Sequence, residues 1–188
     1  MMVPGSPLLL AALMVQSQAA DSLRLLALEL SGSPLVTQVR VRSYAVHDAV
    51  AQSLARSVSS SASGHDELIA AQRLAASFAT AWRDSFLVRE VARFAGSSTA
   101  RRAAKVAVDS ARRAGMVAFA RDGPAAAITI WRRSLSRAVA IDDSADAAAI
   151  LANLGAGFLQ TGKPDSAEAY LLRARDLARK VGDVRVEG

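Results

Sequence analysis

Few residues in this chain are of the types that carry out chemistry. His47 and His65 are its two histidines, and each is followed by an aspartate, Asp48 and Asp66. A His–Asp pair suits general base catalysis or metal ligation. A metal site, however, wants two ligands at i, i+4 on one helix face or cysteine companions, and neither pattern is present. Both histidines are therefore read as surface or capping residues. The chain has no cysteine, which removes a thiolate nucleophile, a disulfide and a lipid-modified cysteine together. Serines are plentiful, yet none sits in a Gly-x-Ser-x-Gly elbow, and no Gly-rich loop precedes Lys-Ser or Lys-Thr. The sequence assigns no catalytic, cofactor-binding or metal-binding residue, and the chain reads as a non-enzyme that needs no cofactor.

The charge reads as a solvated face, compatible with diffuse attraction to anionic lipid headgroups or acidic partners. A net charge of +6 comes almost wholly from arginine, spread as Arg101-Arg102, Arg112-Arg113 and Arg132-Arg133 with Asp109 and Asp122 between them. Neighbouring residues on a helix project about 100° apart, so each pair flanks an apolar stripe rather than forming a groove. Without interleaved aromatics or a recognition motif, specific nucleic-acid binding is not expected.

The elements that position these residues are helices. The chain is 52% hydrophobic but only 5% aromatic, so its core must be built from small side chains on closely packed helices. Strong helix formers dominate and β-branched runs are nearly absent, which predicts an all-α fold. Helices are expected near residues 22–30, 34–42, 44–58, 66–83, 86–94, 99–121, 124–141, 144–161 and 164–181. Gly32, Gly64, Gly96, Gly123, Gly162 and Gly182 mark stops or turns. The valines at 36, 39 and 41 lend some strand propensity, but a strand there would lack a partner, so helix is expected after Pro34. The Ser-rich stretch 57–64 is read as a loop between helices.

The last third of the chain repeats itself. Shifted by about 40 positions, Ala107 falls on Ala147, Gly115 on Gly155, Pro124 on Pro164, Ala127 on Ala167 and Arg133 on Arg173. The apolar stripe Ala147, Ile150, Leu151, Leu154, Gly155, Phe158 and the stripe Ala167, Leu171, Ala174, Ala178 each follow the i, i+3, i+4, i+7 rule of one buried helix face. Small residues stand wherever two helices must approach closely. Each prolines suits a first helical turn, where its missing N–H costs nothing. Two helices joined by so short a turn must run antiparallel.

Leu154-Gly155, Phe158 three residues later, Gly162 at the turn, then Ala167, Leu171 and Ala174 resemble the tetratricopeptide repeat. Residues 143–182 form the clearer repeat. Residues 103–142 form a degenerate one, with Gly115, Ala127 and Trp131 in place but Ala114 for the Leu, Ser134 for the second Ala, and Gly123 one position late. The long second helix is similar to an extended subtype found in bacterial regulators and in exported proteins that end in a caspase-like CHAT protease domain. The strings Trp82-Arg83-Asp84-Ser85-Phe86, Val91-Ala92-Arg93-Phe94 and Asp109 to Gly115 look like the region preceding the repeats in such proteins. The resemblance implies a right-handed α-solenoid of stacked helix pairs acting as a protein–protein interaction scaffold. Its first helices would line a concave groove for a protein or peptide through Arg112, Met116 and Phe119, then Ala152, Asn153, Ala156 and Leu159. Asn153 is suited to bond an extended peptide, or equally to serve as a polar residue at a helix contact. If the protein is a CHAT-type protease, its catalytic His and Cys lie beyond Gly188. A cytoplasmic transcriptional regulator is the third reading.

The two ends carry further expectations. Pro7 to Val15 is an apolar run too short to span a bilayer, which needs roughly 20 apolar residues. It is followed by Gln16-Ser17-Gln18-Ala19, with small residues where a signal peptidase reads them. Residues 1–20 are thus expected to be a signal peptide cut before Ala20 or Asp21, directing export, although only the terminal amine supplies positive charge before the apolar run. No transmembrane span is expected. Residues 21–63 then form an N-terminal helical segment with the Ser-rich linker, and residues 64–102 a helical region preceding the repeats. Residues 183–188 fall in the phase that opens the preceding repeat and read as the start of a further one. The last helix face would then be uncovered, with self-association as the consequence.

Overall fold

A computed structural model describes residues 6–60 and 62–182. Among these residues there are nine α-helices and no strand: α1 (Pro7–Glu29), α2 (Gly32–Val41), α3 (Val46–Ser59), α4 (Gly64–Trp82), α5 (Phe86–Ala95), α6 (Thr99–Asp122), α7 (Pro124–Ala140), α8 (Ser144–Gln160) and α9 (Pro164–Val181). The expected helices are all present, and the valine-containing segment is helical. The first helix differs from expectation because it begins at Pro7 rather than near Ser22. Its apolar leader is itself a good helix former and continues the same helix without a break. The segment 183–188 and the first five residues lie outside the described residues.

The chain divides into two compact units, one of residues 12–106 and one of residues 1–11 with 107–188. In the first, Leu23, Leu35, Val39, Val46, Leu74 and Val91 form a core with little or no exposure. A buried ion pair runs through it. Arg24 Nη1 of α1 donates to Glu67 Oε1 of α4 at 2.6 Å, while Arg24 Nε donates to Asp21 at 3.1 Å. Helix ends are tied by arginines reaching the carbonyls that a helix leaves unsatisfied at its C-terminus. Arg73 donates to the carbonyls of Ala27 and Leu28 at the end of α1, and Arg102 to those of Phe94 and Ala95 at the end of α5. His47 is neither a surface nor a capping residue: its half-buried ring stands edge-on to Phe78, centroids 5.3 Å apart, and Phe78 in turn lies 4.9 Å from Trp82. His65 is exposed.

The second unit is the repetitive one. Its core holds Val108, Ala127, Ile128, Trp131, Ala138, Ile150, Leu154, Phe158 and Ala167, the stripes expected from the sequence. Within each helix pair a glycine on the first helix receives a large side chain of the second. Trp131 of α7 lies on Gly115 of α6 so closely that a Cβ there would overlap the indole, and Leu171 of α9 lies on Gly155 of α8, where a Cβ would come within 2.6 Å of Leu171 Cδ2. The turns use positive φ at Gly123 (+91°) and Gly162 (+70°) before Pro124 and Lys163-Pro164. Asp142 (φ +52°) closes α7 in the phase where Gly182 (φ +70°) closes α9, one left-handed residue standing for another.

Candidate partner-binding surface

α6 and α8 are the first helices of the two pairs, and the expected groove residues lie on them at i, i+4, i+7 spacing, one stripe per helix. On α8, Ala152 and Asn153 are half-buried, Ala156 is exposed, and Leu159 is 59% exposed. The amide nitrogen of Asn153 is buried and has no hydrogen-bond partner. An amide with unmet donors below exposed alanine and leucine is a hydrogen-bonding group that its side chain must turn outward to offer.

The α6 residues are engaged differently. Arg112 Nη2 meets Asp109 Oδ1 at 2.7 Å, and its Nε approaches Asp146 Oδ1 of α8 at 3.6 Å. Arg113 also pairs with Asp109. The Arg112 side chain is only 19% exposed, so its charge serves to bridge α6 and α8 and is met by carboxylates on both. Met116 and Phe119 are half-buried against the core, and the Phe119 ring lies 5.7 Å from that of Trp131. The structure thus brings Arg112 to α8 and leaves the more open part of the stripe to Ala156 and Leu159.

Several residues outside the expected set hold this surface in place. Gly157 lets α7 close on α8: a Cβ there would stand 3.0 Å from Ile128 Cγ1 and 3.4 Å from Trp131 Cζ3. Interior glycine costs a helix up to about 1 kcal/mol relative to alanine, so its place mid-helix was the available signal. Arg132 of α7 lies over the Phe158 ring at 5.3 Å, and Tyr170 stacks on the same Phe158 ring at 5.2 Å. Asp143 caps α8 by accepting from the Asp146 N–H at 3.1 Å. Ser134, which breaks the alanine pattern, donates from its fully buried hydroxyl to the Val108 carbonyl at 3.1 Å. Trp131 Nε1 likewise donates to the Arg112 carbonyl at 3.0 Å.

Residues 107–180 match a family model described as tetratricopeptide repeat. These two helix pairs are similar to tetratricopeptide repeats over that stretch. Such repeats are typically non-catalytic and generally mediate protein–protein interaction. No curated protein and no solved structure matches the chain. Among the described residues no cluster of His, Cys, Asp or Glu could hold a metal ion, and no helix is long and apolar enough to cross a membrane. The tetratricopeptide match ends at residue 180, with Leu171 and Leu172 of α9 exposed at 43% and 42%.

Proposed function

We propose that the protein is a non-catalytic scaffold that holds an extended segment of a partner protein along the α6–α8 stripe. The observation that supports this most directly is the unpartnered amide nitrogen of Asn153, set beside the small side chains of Ala152 and Ala156. Alanines at these positions leave room for a main chain to approach, and the Asn153 amide, buried at rest, turns outward to donate to its carbonyl or carboxylate. Leu159 and Met116 supply apolar contact, while Arg112, held by Asp109 and Asp146, fixes the spacing of the two helices. The reading holds equally if the repeats precede a CHAT-type protease domain, where the same stripe would position a partner for it.

The test is selection of binding peptides from a displayed library on the full chain, followed by titration against variants. Ala156→Arg blocks the stripe at an exposed position and should weaken a selected peptide by about tenfold or more, as expected for loss of a central contact of 1.4 kcal/mol or greater. Asn153→Ala should weaken it to a smaller extent. Peptides that bind both variants as tightly as the parent chain would refute this location.

A further inference from the structure

Helix α1 is less buried in its first part than in its second, with Leu10, Leu13, Gln16 and Ala19 half-buried. From Ser6 to Ala19 no residue is buried, and large apolar side chains stand in solvent, Leu8 at 81%, Met14 and Val15 each at 59%. From Ala20 onward the same helix is anchored, with Ala20, Leu23 and Ala27 at 0% exposure and Arg24 in its ion pair with Glu67. Side-chain hydrogen bonds tie the leader to the segment 44–52. Gln16 donates to Asp48 Oδ2 at 2.6 Å and stands 3.5 Å from the Tyr44 carbonyl, and Gln52 stands 3.5 Å from the Ser17 carbonyl. The first fully buried residue of the helix, Ala20, coincides with a boundary of sequence. Ser17 and Ala19 are small residues at the two positions a signal peptidase reads for a cut before Ala20, whereas a cut before Asp21 would place Gln18 at one of them.

We infer that residues 1–19 are a removable export leader and that the Ala19–Ala20 peptide bond is its processing site. This goes beyond the scaffold reading and does not depend on it. The apolar run enters the translocation machinery as the chain emerges unfolded, so the helix it forms in the folded protein does not hinder recognition. A membrane-bound signal peptidase then hydrolyses the bond with one water: the hydroxyl goes to the Ala19 carbonyl carbon, leaving a carboxylate, and the hydrogen goes to the Ala20 nitrogen, leaving a new α-amine. Every buried residue of α1 stays with the product. The shortened helix also gains an acidic first turn, because Asp21 becomes its second residue, whereas the first turn of the full α1 has no acidic residue. A carboxylate there is favoured by the helix dipole, and Asp21 retains Arg24 at 3.1 Å and Arg56 at 3.8 Å.

The experiment is to tag the gene at its 3′ end in the organism that encodes it and to take the mass and N-terminal sequence of the product inside and outside the cytoplasm. The expected product outside begins at Ala20. Ala12→Arg, a charge in the middle of the run at an exposed position, should retain the protein inside, uncut, with at least a tenfold loss of the external form. In parallel, a purified chain beginning at Ala20 should melt within about 4 °C of the full chain, the shift expected for roughly 1 kcal/mol in a protein of this size. A product that keeps residues 7–19 wherever it is found overturns the inference. So does a chain beginning at Ala20 that fails to fold, since the leader would then be structural.

Discussion

The two units solve the same packing problem by different means. In residues 107–182 helices approach through missing side chains: Gly115 under Trp131, Gly155 under Leu171, Gly157 against Ile128. In residues 12–106 a buried ion pair joins two helices, with Arg24 and Glu67 each about 5% exposed, and arginines tie off helix ends. The first device is local and recurs at a fixed interval. The second depends on partners 43 residues apart and has no fixed interval. A buried pair stabilises little in net terms, because desolvation of both charges offsets their attraction, but losing one partner leaves a costly charge behind. The repeat unit should therefore respond to volume, and the other unit to charge.

The largest effect is expected in the charged unit. Glu67→Ala leaves Arg24 buried beside Asp21 alone and should cost about 3–5 kcal/mol in urea unfolding. The double change Arg24→Met with Glu67→Leu should recover most of that loss. A double variant as unstable as the single one would show that the pair contributes more than it costs, and the contrast between the units would fail.

In the repeat unit the ordering should follow how easily the neighbour moves. Gly115→Ala drives a methyl into the buried Trp131 ring and breaks its bond to the Arg112 carbonyl, for roughly 1–3 kcal/mol of overpacking. Gly155→Ala meets Leu171, which is 43% exposed and can swing outward, so its cost in the same unfolding assay should be smaller. Equal losses would mean that the backbone, not the side chain, sets the contact. Ala167→Leu, at a fully packed crossing, should likewise lower the melting temperature, by about 1–3 kcal/mol equivalent. Arg179→Leu on the exposed face should stay within about 0.5 kcal/mol.

The smallest effect concerns the exposed pair Arg121–Asp122. The hydrogen bond from Arg121 holds the Asp122 carboxyl below its ordinary range, with burial opposing and the guanidinium charge adding. A depressed folded-state value contributes stability above the unfolded carboxylate pKa near 4 and loses it as pH falls through the folded value. In full solvent that contribution is screened. Asp122→Asn should leave thermal melts unchanged at neutral pH and only marginally alter the acid limb.

The same contrast decides what was legible in the sequence. The repeat was readable because Gly115, Gly155, Pro124 and Pro164 are steric demands that composition alone would not produce, and a fixed interval exposes them. Its departures were readable only as departures. That Ser134 stands for alanine because it bonds the Val108 carbonyl, or that Asp142 takes a left-handed turn where Gly182 does so later, needs the neighbouring helix to be seen. Of the expected stripe on α8, Ala156 and Leu159 are exposed while Ala152 and Asn153 are half-buried. The bridging of Arg112 to Asp146 was hidden, since a carboxylate 34 positions away carries no local pattern. In the first unit helix positions were legible from punctuation, but the Arg24–Glu67 pair and the ring cluster around His47 were not. Both join residues far apart in the chain whose types are common on exposed helix faces.

The chain holds two tryptophans, and each unit has one. Trp131 is 3% exposed in the repeat core, and Trp82 is 42% exposed at the end of α4. Their emission should differ accordingly, blue-shifted for the first and red-shifted for the second. With Trp82 replaced by phenylalanine, the remaining signal reports the repeat unit alone; with Trp131 replaced, the other unit alone. The molecule thus carries its own pair of optical probes, able to show whether the two units lose their structure in one step or in two.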